Sequence, residues 1–80
     1  MELEIKRFNQ FARREAARED YQQVKDFAVN EFFSRQTEAD KEIIASAYAR
    51  IERNTAGRYD LRLIMDFWIA ARAAWSKKGD

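Results

Sequence analysis

Residues 61–75 read LRLIMDFWIAARAAW, a run in which Arg62, Asp66 and Arg72 are the only charged residues. At about 100° per residue on a helical wheel, Leu61, Leu63, Ile64, Phe67, Trp68, Ala70, Ala71, Ala74 and Trp75 fill about half the circumference, and Met65 and Ile69 widen the edge. A helix with so broad an apolar arc needs cover from several neighbours rather than one. It is therefore expected to be the central, C-terminal helix of a small all-α bundle of three to four helices, and the rest of the chain should supply the cover.

The composition points the same way. Pro is absent, the only glycines are Gly57 and Gly79, and the good helix formers Ala, Glu, Arg and Lys are abundant, so nothing punctuates a sheet. Eighty residues allow one domain, 1–80, in the size range where a single core is marginal and association often supplies the missing burial. Fifteen basic residues stand against fourteen acidic ones, a net charge of +1 spread evenly along the chain, which argues against a dedicated nucleic-acid domain. With no Cys there is no disulfide framework, thiolate zinc site or thiol nucleophile. The opening MELEIKRF lacks the apolar run of a signal peptide, and the longest uninterrupted apolar run, Phe67 to Ala71, is far short of the about 20 residues a membrane span needs. A cytoplasmic protein without membrane contact is the expectation.

Periodicity and capping signals place helices at about 3–18, 21–34, 38–53 and 60–77. In the first, Ile5, Phe8, Ala12 and Ala16 share a face. Continued as an ideal helix, the next stripe of Ala17, Tyr21, Val24, Ala28 and Phe32 falls about 150° away, so one straight helix conflicts with itself. Asp20 and Gln23 have the spacing of a capping box, which predicts a break near Glu19 and Asp20. The competing arrangement is a single helix of about 32 residues, near 48 Å long, overhanging its partners and requiring a second chain to cover it. The second helix ends in the doublet Phe32-Phe33, of which only one residue can point fully inward, leaving Phe33 near the rim. Thr37 should cap the third helix, with Asp40 at its N3 position. Ile43, Ile44, Ala47, Tyr48 and Ile51 should form that helix's inner face. Asn54 to Tyr59, around Gly57, reads as a loop, Asp60 as the cap of the central helix, and Gly79-Asp80 as a frayed tail.

Enzyme chemistry is poorly supplied. There is no His and no Cys, and Ser34, Ser46 and Ser76 have no base to activate them. The carboxylate pairs Glu15 with Glu19 and Glu38 with Glu42 have basic neighbours and read as solvated mixed-charge faces rather than cation sites. A helix-turn-helix fails because the Asn54 to Tyr59 loop is too long and the following helix opens with Leu61, Leu63, Ile64 and Met65 rather than base-reading groups. Arg62 and Asp66 should form an i,i+4 ion pair. Arg72 lies four residues after Trp68 and three before Trp75, within reach of an indole face, which is both the composition of a binding hot spot and a way for an Arg to cover a core edge.

Eleven aromatics in so short a chain, several next to Arg, are the one positive functional signal. They lead to a small non-catalytic helical module that binds and modulates or inhibits a larger protein, with a homodimer as one arrangement, and whose contact residues are expected to be Phe11, Arg14, Arg18, Phe33, Arg72 and Trp75. Such a compact adaptor would suit a bacterial virus or mobile element. The alternative is a nucleic-acid-binding regulator that lays the basic stripe Arg7, Arg14 and Arg18, with Lys25 if the helix runs straight, on phosphates. Neither reading calls for a catalytic residue, a metal or another cofactor.

Overall fold

A computed structural model of the chain describes residues 2–78, and these form helices and no strand. Helix α1 covers Glu2–Ala16 and α2 begins at Tyr21–Asp26, running on without a break into a π-helical segment, Phe27–Phe32. Helices α3, Glu38–Glu52, and α4, Arg58–Lys78, complete the bundle. The tail expected to fray, Gly79-Asp80, lies outside the described residues.

Helix α4 is the hub. It packs against α1, α2, the π segment and α3, while among the described residues the backbone of α3 comes within 8 Å of α4 alone. Val24, Ala28, Ile44, Ala47, Ile64, Phe67, Trp68 and Ala71 make up the core. Ile69, on the edge of the apolar arc, stays outside. The chain therefore forms a slab of 38 × 31 × 16 Å, whose thin dimension is about two helix layers.

The break between α1 and α2 falls at residues 17–20, where the Arg18 amide bonds Glu15 O and the Tyr21 amide bonds Arg18 O, both at 3.1 Å. Its location agrees with the jump of the apolar stripe, but the predicted capping box is not made. Asp20 occupies the N-cap of α2 without a side-chain cap bond. Its carboxylate is taken by Arg72 instead, at 3.1 Å. The inner face of α1 also differs from the expected one. Phe8 and Phe11 are half-buried and Glu15 is buried, while Ile5, Ala12 and Ala16 face outward. The helix turns to follow Glu15, whose partners on α4 outweigh a stripe that is half alanine.

The π segment resolves the Phe32-Phe33 doublet. In an α-helix residues five apart diverge by about 140°, whereas the wider π turn narrows that angle to about 50°. Phe27 and Phe32 accordingly lie 6.0 Å apart, and Phe32 and Phe33 both reach Phe67, at 5.4 and 6.5 Å between ring centres. At the far end Glu31 accepts from Lys78 Nζ at 2.7 Å and pairs with Arg35 at 3.2 Å, tying the last turn of α4 to the π segment.

Helix α3 begins as expected, with Thr37 Oγ1 accepting from the Asp40 amide at 3.1 Å. It ends in a Schellman turn: the Asn54 amide bonds Ile51 O at 3.1 Å, the Thr55 amide bonds Arg50 O at 2.9 Å, and Asn54 takes φ 62°. Asn tolerates that left-handed conformation better than other non-glycine residues. Of the expected inner face, Ile44 and Ala47 are buried and Ile43 points out.

The central helix starts earlier than expected, at Arg58, because Gly57 supplies its first acceptor, bonding the Leu61 amide at 3.2 Å. Asp60 is thus the third helical residue rather than the cap, and it reaches back to accept from the Gly57 amide at 3.0 Å. The same carboxylate receives Arg50 Nε and Nη2 at 2.8 and 2.7 Å, pinning the end of α3 to the start of α4. The Arg50 bonds first, then the Gly57 amide, hold Asp60 at about 2 against an ordinary 3.8, with burial opposing them. A folded-state pKa below the unfolded one stabilises the fold above the unfolded value and loses that contribution as pH falls through the folded one. Asp60 should therefore add its full share near neutrality and lose it between about pH 4 and pH 2. Urea unfolding of Asp60→Asn at pH 7, 4 and 2.5 is expected to show a deficit at pH 7 that shrinks across this window, and an unchanged deficit would contradict the assignment.

Candidate functional site

The longest-range polar contacts in the fold join α1 to α4. Glu15, buried on α1, accepts Trp68 Nε1 at 2.5 Å and Arg72 Nε at 2.6 Å through the same oxygen. Arg18 Nε stands 3.5 Å from its other oxygen. Burial pushes the Glu15 carboxyl up, but the bonds from Arg72 and Trp68 and the charges of Arg72 and Arg18 outweigh it and keep it ionised below the usual range. The Arg72 side chain is only 15% exposed. Its Nη1 reaches Asp20, and its buried Nη2 has no hydrogen-bond partner among the described residues. A guanidinium committed in this way on both sides fastens the α1–α2 corner to α4. Trp68 belongs to the core and lies 5.8 Å from the Tyr21 ring.

The residues singled out in the sequence are therefore scattered. Arg72 is engaged inside the fold by Glu15 and Asp20, and among the described residues no indole face lies beneath its guanidinium. Trp75 is half-buried against Phe27, with ring centres 5.7 Å apart, and it is Lys78 and Arg35 that stack on Phe27, at 5.1 and 5.6 Å. Phe11 is half-buried in a narrow cleft beside Phe8, Tyr21 and Trp68. Arg14 stands exposed next to Gln10 and Arg13 on the outer side of α1, and Arg18 sits in the turn. Lys25 and Phe33 line one groove between α2 and α3. The break at residues 17–20 removes Lys25 from the basic stripe of α1, so the four cations of the nucleic-acid alternative do not share one helix.

What the fold does assemble is a groove of about 400 Å³ at the α1–α4 end. Arg7 on α1 and Arg58, Tyr59 and Arg62 on the first turns of α4 surround it, and Leu61 and Met65 supply apolar lining. Tyr59 is 69% exposed, the most open large apolar side chain in the molecule among the described residues. Glu4 enters the same groove and pairs with Arg58 at 3.1 Å. Arg62 makes the expected bond to Asp66 at 3.3 Å. Three guanidinium groups and the positive end of the α4 dipole thus border an apolar slot and an exposed phenol. Sequence reasoning found Arg7 here but missed Arg58, Tyr59 and Arg62. The available signal is the cluster R-Y-D-L-R at a helix start, and the reading of Asn54 to Tyr59 as a loop around Gly57 hides it.

No protein-family model matches the chain, and neither a curated protein nor a solved structure matches it. No helix among the described residues is long and apolar enough to cross a membrane.

Proposed function

We propose that this chain is a small, non-catalytic helical interaction module of the cytoplasm that docks on a larger protein and modulates or inhibits it by occlusion. The docking surface is the groove ringed by Arg7, Arg58, Tyr59 and Arg62. The observation that carries this reading is the exposure of Tyr59 between three Arg side chains over an apolar floor, since Tyr and Arg around a small apolar pocket are what binding hot spots are made of. The chemistry favours an acidic segment on the partner: its carboxylates meet Arg7 and replace Glu4 and Asp66 on the forks of Arg58 and Arg62, while one apolar side chain enters between Leu61 and Met65. The same cations and phenol suit a phosphate backbone with a stacked base, which keeps nucleic acid as the second reading.

Two probes separate these readings: a fluorescent peptide with Asp and Glu flanking a single Phe, and a single-stranded oligonucleotide, each titrated at low and moderate salt. The peptide is expected to bind the wild type, and Arg58→Glu/Arg62→Glu, both exposed positions, should weaken it by at least about tenfold. Oligonucleotide binding that exceeds the peptide's and collapses with salt would overturn the protein-docking reading in favour of the second. A peptide affinity unaffected by the double substitution would remove this groove as the site.

A further inference from the structure

A second groove, of about 530 Å³, opens between α2 and α3. Lys25, Val29 and Phe33 form one wall, Ala45, Ala49 and Glu52 the other, and Tyr48 and Phe67 lie between them. The walls belong to an antiparallel hairpin whose arms do not close on each other: no Cα of α3 comes within 8 Å of one in α2 or the π segment. Val29 is consequently 52% exposed, and Phe33 and Tyr48 are only half-buried. Lys25 and Glu52 sit at the same end of the groove, and neither makes an ion pair or side-chain hydrogen bond among the described residues.

We propose that a second copy of this chain occupies the groove, the two α2–α3 hairpins closing face to face into an antiparallel four-helix bundle about a twofold axis parallel to the groove. Two observations select a second copy over another partner. First, such an axis places α2 of one copy over α3 of the other without changing the level along the groove, so Lys25 meets Glu52 of the second copy, twice. Second, the same register sets the projecting Val29 against the small residues Ala45 and Ala49 of the second copy, large against small, and encloses Phe33, Tyr48 and Phe67 from both sides. No residue of this groove is shared with the Arg and Tyr groove, so a dimer would carry two copies of that surface, and the inference does not depend on what binds there.

Sedimentation equilibrium of the purified full chain from micromolar to submillimolar concentration tests it. The wild type should approach twice the 9.5 kDa chain mass. Val29→Lys, at an exposed position and verified for helicity by circular dichroism, should sediment as a monomer. Lys25→Glu and Glu52→Lys should each weaken the dimer about tenfold, because each change acts twice across a twofold axis, and the double substitution should restore it. A monomer mass across the whole range would overturn the proposal, as would a dimer that survives Val29→Lys or a double charge swap that fails to recover. Arg58→Glu/Arg62→Glu, which disables the other groove, should leave the dimer unchanged, so failure of one surface is read separately from failure of the other.

Discussion

Replacing Glu15 with Leu is expected to destabilise the protein by about 3 kcal/mol, the lower end for breaking a buried ion pair by removing one partner. The carboxylate satisfies two donors on α4 through one oxygen, Trp68 Nε1 and Arg72 Nε. Without it Trp68 loses its acceptor, and among the described residues Arg72, already holding one buried nitrogen without a partner, keeps only Asp20, on a partly exposed side chain. A domain of this length has roughly 4–12 kcal/mol of total stability, so the loss is a large fraction of it and should lower Tm by roughly 15 °C. The double variant Glu15→Leu/Arg72→Leu should recover part of the loss, because no uncompensated guanidinium then remains inside. Thermal melts of the two single variants and the double variant close the cycle. A Glu15→Leu melt within about 3 °C of wild type would mean that Arg72 is hydrated well enough not to need its partner.

Phe67→Ala should cost about 4 kcal/mol, in the range for removing a buried aromatic. The ring is 7% exposed and is the surface on which Phe32 and Phe33 converge. Its removal opens a cavity beneath the π segment and withdraws the contact that rewards the wider turn. Amides of Phe27–Phe32 should therefore lose hydrogen-exchange protection ahead of those in α3. Phe33→Ala, at the rim, is expected to cost about a third as much. Equal losses from the two substitutions would show that Phe33 is as much a core residue as Phe67. Uniform loss of protection along the chain would separate the π turn from Phe67.

Helix α4 was legible from its composition alone, since an apolar arc that wide has no other stable environment than a position among several neighbours. Thr37 with Asp40 was legible for the same local reason: a cap is made by residues three apart, and no distant group competes for them. Where a distant group does compete, the local reading gave way. Asp20 has the spacing of a cap but bonds Arg72, 52 residues away, because a guanidinium offers a carboxylate more than one backbone amide does. Glu15 reads as part of a solvated face beside Glu19 and Arg18, yet Trp68 and Arg72 draw it inside.

The same division holds for the functional surfaces. Phe33 was visible as a rim residue from the angle between neighbouring side chains, and it lines the α2–α3 groove. Arg72 and Trp75 carry the composition of a hot spot, but their environments depend on what α1, α2 and the π segment bring to them. Arg58, Tyr59 and Arg62 become a site only when α1 delivers Arg7 and Glu4 opposite them. The sequence by itself determined the all-helical class, the central helix, the break after α1 and the cap of α3, because periodicity and capping act over a few residues. The tertiary structure alone decided which charges are internal, which way α1 and the Phe32-Phe33 doublet face, and which grooves stay open, because those depend on ion pairs and ring contacts between residues tens of positions apart.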